Sequence, residues 1–218
     1  MRLKTKIAIG VMTFVVILSV QATVITNVAQ NTKERINDAG SIGDTYYIGE
    51  YYNTAPVDTM DRCFFIFALP DLAGEELVTA TLRFNLTAIT GSPSDADVYH
   101  MDSTPSSALS VDYYAASGTL MGSSVLTSGS TTGEWYEVDV TSGVLADYAA
   151  TATYVGFRCQ LADETKTEAV ARYTIDLNAT GGGGSPRLVL ETIPEPATAM
   201  LLLFSGAGII IFLRQRMR

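Results

Sequence analysis

Apolar and polar side chains alternate most cleanly between Leu77 and Ile89. Val78, Ala80, Leu82, Phe84, Leu86 and Ala88 share one phase, and Thr79, Thr81, Arg83, Asn85 and Thr87 the other. A period of two sends successive side chains to opposite faces, so this stretch predicts a strand with one face in a core. Comparable runs bounded by Gly, Pro, Ser or Asp predict strands at Thr45–Tyr52, Arg62–Leu69, Ala96–Met101, Glu134–Val140, Thr153–Ala162, Ala169–Leu177 and Arg187–Glu191. A helical pattern is confined to Gly143–Ala150. Eight strands without long amphipathic helices between them argue against a parallel βαβ sheet. They predict an all-β fold, an antiparallel β-sandwich of jelly-roll type over residues 45–192. Residues 23–44 give no clear pattern, and their structure is left open.

Both ends of the chain are hydrophobic in a different way. The first carries Arg2, Lys4 and Lys6, then an apolar run from Ile7 to Val20, with small residues at Val20 and Ala22. This order fits a signal peptide over residues 1–22, cut by signal peptidase between Ala22 and Thr23, and the run is short for a membrane span. An uncleaved anchor is the alternative. At the other end, residues 197–213 hold seventeen residues without a charge, the lower limit for a transmembrane helix, followed by Arg214, Arg216 and Arg218. A basic cluster after a span stays cytoplasmic, which puts the domain before it outside.

Pro194-Glu195-Pro196 precedes that span, and two prolines around a carboxylate form a stiff, extended handle for a partner. Handle, short apolar run and terminal arginines resemble, in that order, the PEP-CTERM sorting signal of Gram-negative bacteria. The resemblance implies recognition of Pro194, Glu195 and Pro196 by the membrane enzyme exosortase. It also implies export across the inner membrane, anchoring by the C-terminal helix and then release to the cell surface or extracellular matrix, in company with exopolysaccharide. A plain single-span anchor with a Pro-Glu-Pro linker is the alternative.

Within the β domain, four patches resemble in order the exported β-sandwich modules labelled DNRLRE, which are related to a carbohydrate-binding module family. They are RCFFIFALPDLAGEELVTATLRFNL (Arg62–Leu86), WYEVDVTSGV (Trp135–Val144), YVGFRCQL (Tyr154–Leu161) and SPRLVLE (Ser185–Glu191). The segment before Thr45 departs from that pattern. The resemblance implies a sandwich that contacts glycans of the envelope.

Charge and chemistry narrow the function further. Six of the 14 Lys/Arg and one of the 23 Asp/Glu lie in the two ends, which leaves the middle with a net charge of −14. Such a domain repels phosphate backbones, so no nucleic acid partner is expected. His100 is the sole histidine and no G-x-S-x-G elbow accompanies a serine, so a Ser-His-acid hydrolase is not expected. No order among the carboxylates singles out a glycosidase pair. The expectation is a non-catalytic protein, with a purely structural or adhesive module and a polysaccharide-degrading enzyme as rivals.

Three sets of residues remain as candidate sites. Cys63 and Cys159 fall on the apolar phases of their strands and either form a disulfide or stay as two buried thiols. Asp95 and Asp97, in a loop-like stretch, are candidate Ca²⁺ ligands or simply solvated; no other cofactor is indicated. Trp135 falls on the polar phase of its strand. With Tyr46, Tyr47, Tyr51, Tyr52, Tyr113 and Tyr114 it is a candidate surface for stacking sugar rings, the alternative for Trp135 being cover over a sandwich edge.

Overall fold

The computed structural model describes residues 22–28, 35–53, 57–102, 111–167, 169–176 and 184–194. Residues 1–21 of the expected leader lie outside the described residues. So does the tail from Glu195, including Pro196, the apolar run 197–213 and Arg214, Arg216 and Arg218. Among the described residues no helix is long and apolar enough to cross a membrane.

The chain is all-β. Its strands are β1 (Thr23–Val28), β2 (Arg35–Asn37), β3 (Ile42–Gly43), β4 (Tyr47–Asn53), β5 (Val57–Ala68), β6 (Glu75–Thr90), β7 (Ala96–Met101), β8 (Gly118–Leu126), β9 (Trp135–Asp139), β10 (Tyr154–Leu161), β11 (Ala171–Ile175) and β12 (Arg187–Pro194). One helix, α1 (Thr141–Ala149), and one 3-10 turn (Val111–Tyr113) complete the described elements.

All strand pairs are antiparallel and belong to one curled, sandwich-like sheet ordered β1-β12-β6-β11-β4-β5-β10-β7-β8. Strand β6 is the hinge between the layers. Its first half pairs with β12, its middle, Thr81 to Asn85, with β9, and its last residues, from Leu86, with β11. The curl brings β8 back against β9, where Gly122 has no room for a side chain beside Val138. The two layers meet through aromatic rings: Phe65 of β5 stacks on Phe84 of β6 at 5.6 Å between centroids, and Tyr46 tilts against Phe65 at 5.2 Å. A fully buried side chain of this size stabilises by about 1.5–3 kcal/mol.

The alternation read in β6 holds from Ala80 to Leu86, all buried. It fails at Val78, which is 45% exposed, while Leu77 is buried. The register explains the difference: Thr79 pairs with Glu191 and Leu77 with Thr192, so Val78 is an extra residue on β6 and a bulge inverts the phase.

A smaller cluster of Ile36, Phe64 and Met101 lies apart from the main core and is covered by Ile42, Tyr113 and Tyr114. Here β5 is apolar on both faces, which is why Phe64 and Ile66 are as buried as Phe65 and Phe67. Segment 23–44 supplies β1, which pairs with β12 from Thr23↔Thr192 to Val28↔Arg187, and the hairpin β2–β3.

Candidate functional site

The candidate saccharide residues separate into five places. Tyr46 is 3% exposed and belongs to the core, so it cannot serve as a surface for a ligand. Tyr113 and Tyr114 cover the Phe64 cluster, and the Tyr114 ring lies 4.1 Å from the Arg62 guanidinium carbon. Burial pushes the Tyr114 hydroxyl up to about 12, which keeps it neutral. Trp135 is half-buried on the outer face, flanked by Arg83 at 5.5 Å and Arg187 at 5.2 Å, and Arg83 is paired with Glu137 at 2.7 Å. Trp135 is thus held in an intramolecular stack.

Tyr47 and Tyr51 make the fourth place. They point the same way from β4 because they are four residues apart, and between them stands Gly49, directly opposite Arg172 of β11. Gly49 has φ +132°, and a Cβ there would come within 2.3 Å of the Ala171 carbonyl oxygen and 2.8 Å of the Arg172 Cα. Only glycine fits. The Arg172 side chain occupies the room so left, its guanidinium carbon 4.0 Å from the Tyr47 ring centroid and 5.1 Å from that of Tyr51.

Arg35 extends this row, its guanidinium carbon 5.4 Å from the Tyr47 ring centroid. Its Nη1 donates to Asp61 Oδ2 at 3.0 Å, and Asp61 is fully buried. Burial raises the Asp61 carboxyl, while the Arg35 guanidinium opposes that rise. Together Arg35, Tyr47, Arg172 and Tyr51 line an open groove of about 490 Å³, rimmed by Asn37, Ser41, Asp44, Thr45 and Thr59. The Nε atoms of Arg35 and Arg172 are buried without a hydrogen-bond partner among the described residues. The groove thus sets two guanidinium groups and two aromatic rings beside a rim that carries acceptors, Asp44 among them. Tyr52, also half-buried, alternates off the face shared by Tyr47 and Tyr51.

The other candidates resolve into structural roles. Asp97 is 9% exposed, and its carboxylate accepts from the Ser124 backbone N–H at 2.8 Å and from the Tyr99 hydroxyl at 3.3 Å. It secures the irregular register between β7 and β8. Asp95 uses its backbone carbonyl to hold Ala162. Among the described residues no group of three His, Cys, Asp or Glu side chains is placed to hold a metal.

Cys63 and Cys159 sit opposite each other in register on β5 and β10, inside the core, and no disulfide joins them. Burial pushes the Cys159 thiol far up and keeps it protonated. His100 Nε2 lies 2.9 Å from Asp147 Oδ2, with 6% and 7% exposure, and Gly143 leaves no room above the ring. This pair fastens α1 to β7 and is closed to any substrate. Glu50, 2% exposed, accepts from the Thr167 N–H at 2.7 Å, the Thr167 hydroxyl at 2.7 Å and the Ala169 N–H at 3.3 Å, which ties the 163–169 loop to β4.

Arg35, Arg172 and Gly49 were not singled out from the sequence. The available signal was Gly49 itself, a glycine inside a strand pattern, which marks close approach of another backbone. At the expected processing sites, Thr23 is the first residue of β1, and Pro194 is the last of β12, where it pairs with Glu75. No family model matches the chain, and no curated protein matches its sequence.

Proposed function

We propose that this is an exported, non-catalytic surface protein whose β-sandwich contacts a carboxylate-bearing envelope glycan through the Tyr47–Arg172–Tyr51 groove. Export, an N-terminal signal peptide, sorting by exosortase and a C-terminal transmembrane helix are part of the same reading, supported by the order of Pro194-Glu195-Pro196, apolar run and arginines. The observation that carries the glycan part is the glycine-made gap that sets a guanidinium between two tyrosines in an open groove.

Arginine binds carboxylates through a planar fork of N–H groups, and tyrosine offers an apolar face to a sugar ring. Arg172 lies closer to the Tyr47 ring, at 4.0 Å, than to the Tyr51 ring, at 5.1 Å, and Arg35 also lies over Tyr47, so Tyr51 is the stacking ring and Arg172 the anchor for acidic oxygen. The domain's net negative charge opposes a polyanion at a distance. At physiological salt that opposition is screened beyond about 8 Å, and the nearby guanidinium groups govern contact.

Affinity electrophoresis through gels holding a uronic-acid polymer or a neutral glucan tests this. The expected result is retardation by the uronic polymer that Arg172→Ala abolishes with the fold intact. Equal retardation by both polymers, or none, contradicts the reading. A structural module without a saccharide site is favoured by one observation, the closed stack of Trp135 with Arg83 and Arg187. In that case neither Arg172→Ala nor Tyr51→Ala changes mobility.

A further inference from the structure

We infer that one end of the sandwich, formed by the turn from Leu69 to Glu75 and the exposed side of α1, rests on zwitterionic lipid headgroups while the C-terminal tail is inserted. The inference rests on the reading of residues 197–213 as a membrane span. Strand β12 stays paired with β6 through Pro194↔Glu75, and the uncharged run begins at Ala197. Three residue steps reach about 10 Å at most. The headgroup layer on one side of a bilayer is about 5–7 Å thick, so a span starting at Ala197 draws Glu75 to its surface. Nor is there slack in the span: seventeen residues rise about 26 Å as a helix, against a hydrocarbon core of about 30 Å.

A second observation points to the same end. Thr23, the residue following the expected leader, pairs with Thr192, one strand away from the start of the tail. Both hydrophobic segments therefore join the domain at one edge, and a single orientation of the sandwich presents both junctions to a membrane.

The surface at that end is suited to such contact. An open hollow of about 670 Å³ there is lined by Leu69, Leu72, Ala73, Leu77, Leu145 and Tyr148, and Leu145 is 45% exposed. Ala73 and Gly74 form the exposed tip of the turn. Its charged lining residues are Asp71 and Glu75, with no Lys or Arg among them. Carboxylates without basic neighbours repel anionic lipid and suit headgroups that carry an ammonium, as in phosphatidylethanolamine.

The test uses the full chain in phosphatidylethanolamine–phosphatidylcholine vesicles, with a fluorophore on Ala73→Cys, Leu145→Cys or Ser92→Cys and a nitroxide quencher on the lipid headgroup. The native cysteines are buried and stay unlabelled. Ser92 follows the far end of β6, a strand of 16 residues or about 50 Å of extended chain from Glu75. The expected result is loss of most emission at residues 73 and 145, none at 92, and weaker quenching when anionic lipid replaces part of the zwitterionic lipid. A chain that floats with the vesicles but shows equal quenching at all three positions overturns this inference alone. Quenching as strong on anionic vesicles overturns the headgroup assignment. A chain that does not float with the vesicles overturns the inference together with the span on which it rests.

Discussion

Replacing Gly49 by alanine separates the steric basis of the groove from general strand stability. Two terms add. At φ +132° an L-residue is strained by about 1–3 kcal/mol. The new Cβ also meets the Ala171 carbonyl oxygen at 2.3 Å and the Arg172 Cα at 2.8 Å. These are backbone atoms, so relief requires β11 to move away from β4, at about 1–3 kcal/mol for overpacking. The expected loss is about 4 kcal/mol, or roughly 8–16 °C in Tm for a domain of this size. Gly133→Ala is the matched control. Its φ is +86° and nothing lies within 4 Å of the added Cβ, so only a backbone cost of about 1–2 kcal/mol applies. Urea unfolding followed by fluorescence measures both. Where Gly49→Ala remains folded, displaced Arg172 also weakens retardation by the uronic polymer. A Gly49→Ala protein no less stable than Gly133→Ala would refute the close approach of β4 and β11 as the source of the groove.

Further expectations concern the loop, the carboxylates and the tail. Glu50→Gln keeps one acceptor oxygen but turns an amide N–H toward the Thr167 and Ala169 donors. Stability falls by about 1.5–3 kcal/mol, with new proteolytic cuts between residues 163 and 169. Burial first, and the Glu50 carboxylate second, hold the Asp58 carboxyl above its ordinary 3.8. An acid with a raised pKa contributes stability below its unfolded value and loses that contribution as pH rises through the folded one. Asp58→Asn therefore raises the urea midpoint at pH 7, and the gain disappears on acidification below about pH 4. Replacing Pro194, Glu195 and Pro196 by alanine in the native host leaves the chain at full tail length in the inner membrane, by intact mass and fractionation. The unaltered protein is expected to be shortened at both ends and released, and an unaltered tail that stays intact would make it a plain single-span protein.

The strands that alternation revealed are those with one face on the core. Ala96–Met101 is a strand over the same residues in the sequence pattern and the structure, and Leu77–Ile89 lies within the longer β6. Strand β8 was invisible because its glycines and serines leave no alternation, and its register against β7 shifts twice. Strand β1 escaped notice because it lies at the sheet margin, where Val24 is 59% exposed and Ile25 alone of its apolar side chains is placed against the core among the described residues. The aromatic residues were legible only as a set. Tyr46 and Tyr47 are adjacent in sequence, and the pleat alone sends one to the core and the other to the groove. Arg172 could not be found from its own strand, since its position depends on the cross-strand register with Gly49.

The most direct test of the groove is a backbone amide NMR titration of residues 23–194 with a uronic-acid oligosaccharide. The account predicts shifts concentrated on β2, β4 and β11 around Arg35, Tyr47, Tyr51 and Arg172, absent in the Arg172→Ala protein. Shifts centred instead on Trp135, Arg83 and Arg187, or no saturable shifts, would contradict it.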